Sequence, residues 1–186
     1  MSKNDIIHVG SRYEGGYGRA GKILLVGQSG TGASWEPVAN AIHLHRTKKT
    51  TPFFTRIQQI TFGTMNATFW DRVAYTDFIA AADDLATKRL AGSELSQAAD
   101  ALASTIFELR PNLVIAFSNL IWNYFDKMPY YSARLCAPGE LYAMTVRGVT
   151  FVAASLPHPT NKKFPNKRYQ AYTDYCVEIS GQMRNA

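Results

Sequence analysis

The polar residues of chemical interest in this chain stand at the ends of apolar runs. Gln28 and Ser29 close KILLVGQS, Thr76 and Asp77 sit near the end of RVAYTDFI, Ser118 and Asn119 follow NLVIAF, and GVTFVAAS ends at Ser155, shortly before His158. A carboxylate such as Asp77 accepts protons or hydrogen bonds, and an imidazole such as His158 exchanges them near neutral pH. In an open α/β sheet, ligands collect where the carboxyl ends of the strands meet, so four polar ends together imply one binding cleft.

A second pattern spans the first turn. Residues 27–34 read GQSGTGAS and fit the phosphate-binding pattern GxxxxGK[ST] everywhere except at the lysine, where Ala33 stands. The charge that meets the β- and γ-phosphates is therefore missing, and LVIAF ends in Ser118-Asn119 instead of a magnesium-binding Asp. Backbone N–H groups at the start of the following helix still cradle anions without a lysine. A degenerate P-loop nucleotide-binding protein is one alternative reading.

The elements that must position these residues alternate in type. Strands are expected over 22–28, 72–79, 112–118 and 148–155, as short runs of apolar, β-branched and aromatic residues. Trp35, Val38, Ala39 and Ile42 recur at helical spacing after Ser34, a candidate cap, and Pro37; the basic cluster at 43–50 closes that helix. Leu95, Ala99, Leu102, Ile106 and Leu109 mark a helix that stops before Pro111, and Tyr169, Tyr172, Cys176 and Ile179 mark a closing one. The order predicts an α/β fold, a three-layer α/β/α sandwich around a four-stranded parallel sheet. Residues 1–186 are expected to form one domain, with 1–21 a glycine-rich N-terminal arm.

Composition narrows the function classes. At 186 residues, 46% hydrophobic and 18% charged, the chain is too apolar to be disordered and has the size of one domain. No stretch approaches ~18 consecutive apolar residues and the N-terminus lacks a signal-peptide core, so a cytoplasmic protein without membrane association is expected. Its two cysteines form no CxxC pair, and no histidine is spaced with them for zinc; no metal and no cofactor is expected. The net charge of +6 favours an anionic partner, nucleic acid first. A monomer is expected.

ILLVGQ with its small-residue turn, FWDRVAYTDF, LRPNLVIAFS and SLPHPTNKKF together resemble the uracil-DNA glycosylase superfamily over roughly residues 22–165. The most specific element is His158-Pro159-Thr160, similar to the family's His-Pro-Ser. The resemblance implies a metal-independent DNA glycosylase that hydrolyses the N-glycosidic bond of a flipped, damaged or deaminated base in single- or double-stranded DNA. By the same resemblance the loop from Gln28 through Ser29, Gly30 and Thr31 to Gly32 cups the base and positions water, with Ser29 where the family often carries Asp. Asn119, just past the third strand, is expected to bind the base from its place among the polar strand ends. Asp77 matches an Asn whose amide reads the uracil edge; an ionised carboxylate only accepts, which suits an edge presenting donors, such as a guanine-like base. Asp77 could also substitute for the missing carboxylate by orienting water.

His158 matches the histidine that stabilises negative charge on the departing base. The following segment enters the minor groove in the family, and here it supplies Asn161, Lys162, Lys163 and Phe164, with Lys167 and Arg168 behind. Trp35, Phe69, Trp70, Tyr75 and Phe117 are candidates for the wall on which a base stacks, or for the core. The remaining alternative is a catalytically silent nucleic-acid-binding member of the same fold.

Overall fold

The computed structural model describes residues 7–29, 38–48, 52–62, 68–79, 92–137, 141–159 and 166–185. The chain runs β1 (Ile7–Val9), β2 (Ile23–Ser29), α1 (Val38–Lys48), α2 (Pro52–Phe62), α3 (Phe69–Arg72), β3 (Val73–Ile79), α4 (Gly92–Leu109) and β4 (Leu113–Ala116). It continues with α5 (Asn119–Trp122), β5 (Ser132–Ala137), β6 (Leu141–Val146), β7 (Val149–Ser155) and α6 (Asn166–Asn185). The protein is a mixed α/β fold. Its strands form one sheet in the order β1-β3-β2-β4-β7-β6-β5.

The expected four-stranded parallel sheet is therefore corrected to a seven-stranded mixed one. The pairs β2–β3, β2–β4 and β4–β7 are parallel, whereas β1–β3, β6–β7 and β5–β6 are antiparallel. The central strands are readable in the sequence because they are buried on both faces: Ile23 to Val26 and Leu113 to Ala116 are all fully buried. The added strands lie towards the edges and carry weaker patterns. β1 has three residues, and the described positions of β5 are solvent-exposed, with Leu135 63% accessible.

Helices pack on both faces, following the period-2 alternation of the strands. Ile23, Leu25, Val73, Tyr75, Leu113, Ile115, Val152 and Ala154 meet residues of α1, α2 and α6. Leu24, Val26, Ala74, Val114, Ala116 and Ala153 meet Leu95, Ala99, Leu102, Ala103 and Ile106 of α4. Thus α4 buries the stripe its 3.6-residue spacing predicts. Pro52 begins α2, where its fixed φ and missing N–H suit a first turn.

The glycine-rich segment at 10–21 lies against the body, burying Tyr13 and Ala20, and Ser180 of α6 donates to the Ala20 carbonyl at 3.0 Å. Among the described residues no helix is long and apolar enough to cross a membrane.

Candidate functional site

The site begins on β3, where Tyr75 and Asp77 point to the same face. The Tyr75 hydroxyl donates to Asp77 Oδ1 at 2.7 Å. Across the parallel ladder Asp77 pairs with Gly27 of β2. A Cβ at position 27 would overlap the Tyr75 phenol oxygen and come within 2.7 Å of Asp77 Oδ1. The absent side chain of Gly27 is thus what lets the phenol and carboxylate lie against β2.

Burial drives the electrostatics of this pair. It pushes the Asp77 carboxyl up to about 6, with the Tyr75 hydrogen bond opposing part of the rise. Burial first, then the charge and hydrogen bond of Asp77, hold the Tyr75 phenol well above its ordinary range. Asp77 keeps partial solvent access while Tyr75 is 1% exposed, so the phenol is a fixed donor behind a reachable carboxylate.

His158 approaches the same face from the segment after β7, and α2 connects the two. The Phe53 ring lies 5.4 Å from the His158 ring and 6.5 Å from that of Tyr75, centroid to centroid. The Tyr169 hydroxyl of α6 donates to the carbonyls of Pro157 and His158 at 3.0 and 3.1 Å, which fixes the backbone carrying the imidazole. His158 is half-buried, and burial lowers its pKa, which favours the neutral ring.

Other sequence-predicted residues fall elsewhere. Gln28 lies at the end of β2 with its Oε1 accepting from the Ser118 hydroxyl at 2.8 Å. By strand alternation Gln28 extends the row of Leu24 and Val26, on the opposite face from Asp77. Gln28 and Asp77 therefore flank β2, and they do not share one wall. Asn119 opens α5 and is exposed. Ser29 closes β2 in register with Ile79, its backbone described but its side chain not. Gly30, Thr31, Ser34, Trp35, Asn161, Lys162, Lys163 and Phe164 lie outside the described residues.

Lys167 and Arg168 are exposed in the first turn of α6, which contains no acidic residue. Cations there oppose the helix macrodipole, so the helix gains nothing from them.

Of the aromatic candidates, Phe69, Trp70 and Phe117 are core, each no more than 1% exposed. The residue that sequence reasoning missed is Phe53. Its signal is present, since Phe53, Phe54, Ile57 and Thr61 recur at helical spacing directly after Pro52. Among the described residues no group of three His, Cys, Asp or Glu side chains is placed to hold a metal ion.

No family model matches the chain, and no curated protein matches it.

Proposed function

We propose that the protein is a uracil-DNA glycosylase-like enzyme that hydrolyses the N-glycosidic bond of a damaged or deaminated base flipped out of DNA. The observation that carries this reading is the chain of contacts that runs from Asp77 through Tyr75 and Phe53 to His158 on one sheet face. The four mutually parallel central strands, with helices on both faces, are consistent with that fold.

In this mechanism the bond between the sugar C1′ and the base nitrogen breaks while a water oxygen bonds to C1′. Negative charge develops on the base, and His158 donates a hydrogen bond to it, a contribution greatest in a dry pocket. Asp77, ionised above about pH 6, orients the water and accepts its proton. It does the work of the carboxylate missing at Ser29, from the strand adjacent to that loop. Phe53 offers an apolar ring beside His158 against which a base stacks. Lys167 and Arg168 contact phosphates, a role consistent with their placement against the helix dipole.

The test is a panel of labelled oligonucleotides carrying uracil, hypoxanthine, xanthine or oxidised bases, single- and double-stranded, treated with alkali to reveal abasic sites. Excision of at least one base, with a rate that rises with pH through about 6, is expected. Binding of these oligonucleotides without excision of any base would replace the enzyme with the silent DNA-binding reading.

A further inference from the structure

A cavity of about 480 Å³ opens on the sheet face opposite Asp77 and Tyr75. Trp122 of α5, Tyr131, and Tyr142 of β6 form its aromatic walls; Phe125 and Met144 close its floor; Asp126 stands at its mouth. The three wall residues are only partly buried, so their rings remain reachable, whereas Phe125 and Met144 are 1% and 2% exposed.

Ring geometry and charge select the ligand. The Trp122 plane is inclined 57° to Tyr142 at a centroid distance of 5.7 Å, and 61° to Phe125 at 5.5 Å. Rings inclined in this way at contact distance leave no parallel slot between them for a flat base to enter, which favours a compact group. Aromatic faces carry negative potential and attract cations.

Among the described residues the only formally charged side chain lining the cavity is the Asp126 carboxylate, in a chain whose net charge is +6. Burial, Asp126 and Tyr142 all hold the Tyr131 phenol up, so these surroundings disfavour added negative charge. Asp126 meets Lys127 at 3.4 Å, but both side chains are more than half exposed, and such surface pairs are weak enough to exchange.

We propose that this cavity is a binding site for an organic cation, an alkylated ammonium group held against Trp122, Tyr131 and Tyr142 and neutralised by Asp126. It is separate from the Asp77 and His158 face and does not depend on the glycosylase reading.

The experiment is nuclear magnetic resonance titration of the ¹⁵N-labelled protein at constant ionic strength. The probes are choline and its neutral isostere 3,3-dimethyl-1-butanol. Choline should shift the Trp122 indole N–H and the Tyr131 and Tyr142 amides saturably, and bind at least about fivefold more tightly than the alcohol, as expected for a partly desolvated cation–π site. Trp122→Ala should abolish saturation. Asp126→Asn, at an exposed position that folding tolerates, should weaken choline but leave the alcohol unchanged. Equal affinity for both probes, no saturable shift, or an Asp126→Asn protein that binds choline like wild type would overturn the proposal.

Discussion

Replacing Asp77 with Asn should make the protein more stable at neutral pH while leaving it almost unchanged in acid. The carboxyl titrates at about 6 in the fold against 3.8 in the unfolded chain. Between those values the folded state holds more protons than the unfolded one, so stability falls as pH rises through the window. The difference of roughly two units, at 1.36 kcal/mol each, amounts to about 3 kcal/mol lost by the wild type above pH 7. Against a typical domain stability of ~5–15 kcal/mol this is a large cost.

Asparagine has the same shape, still accepts the Tyr75 hydroxyl hydrogen bond through its amide oxygen, and carries no charge at any pH. Urea denaturation followed by circular dichroism at intervals from pH 4 to 8, for both proteins, isolates the effect because other titrations cancel in the difference. The variant should match the wild type near pH 4 and exceed it by about 2–3 kcal/mol at pH 7.5. A difference that stays flat across the range would refute the burial of Asp77. One of opposite sign would mean that the fold stabilises the carboxylate with a cation. A buried charge kept at such a cost, beside reachable solvent, is the pattern of a group retained for chemistry.

Three further outcomes are expected. His158→Ala should lower excision by about 10²–10³-fold without unfolding the protein, the usual effect of removing one donor to developing negative charge, as measured by single-turnover kinetics on the best oligonucleotide of the panel. Replacing Lys167 and Arg168 together with Ala should flatten the salt dependence of DNA affinity, by ~0.9 in log-log slope for each phosphate no longer neutralised on duplex DNA; an unchanged slope removes this turn of α6 from the DNA surface. Gly27→Ala should destabilise the fold by about 1–3 kcal/mol, because the new Cβ has to displace the Tyr75 phenol and Asp77, and thermal denaturation reads it directly.

The parts of the fold legible in the sequence are those whose pattern reflects full burial. β2 and β4 appear as unbroken apolar runs, and α4 as a clean 3.6-residue stripe, because each meets protein on the sides its sequence marks. β6 and β7 are harder to separate. Arg147 and Gly148 both have positive φ, 49° and 79°, and form the two-residue turn of a tight hairpin, Val146 pairing with Val149. Arginine is a poor advertisement for that turn, so LYAMTV does not stand out as a strand.

Among its described side chains β5 shows no inward row for periodicity to detect, and β1 is too short for any pattern. Within the site, Asp77 and His158 can be named from sequence because each stands at or just beyond the end of an apolar run. Phe53 is marked as well, by its helical spacing with Phe54 and Ile57 after Pro52, but its spacing does not reveal that this helix face meets Tyr75 and His158.

The register of the sheet explains why the site gathers on one face and not in the single cleft that four polar strand ends suggest. Every strand end carries residues for both faces, and the sequence does not say which neighbour lies opposite. Once Gly27 is set against Asp77, alternation sends Tyr75 and Asp77 towards α2 and His158, and sends Gln28 the other way to Ser118. The Gln28–Ser118 hydrogen bond then ties the end of β2 to the segment after β4, while the opposite face holds the ionisable groups. A one-residue slip of β3 against β2 would carry Thr76 to the position of Asp77 and turn the carboxylate towards α4. Gly27 is the residue that makes the observed register possible at that level, since there β2 leaves room for a phenol and a carboxylate to meet. The chemistry proposed for Asp77 therefore depends as much on what position 27 lacks as on what position 77 supplies.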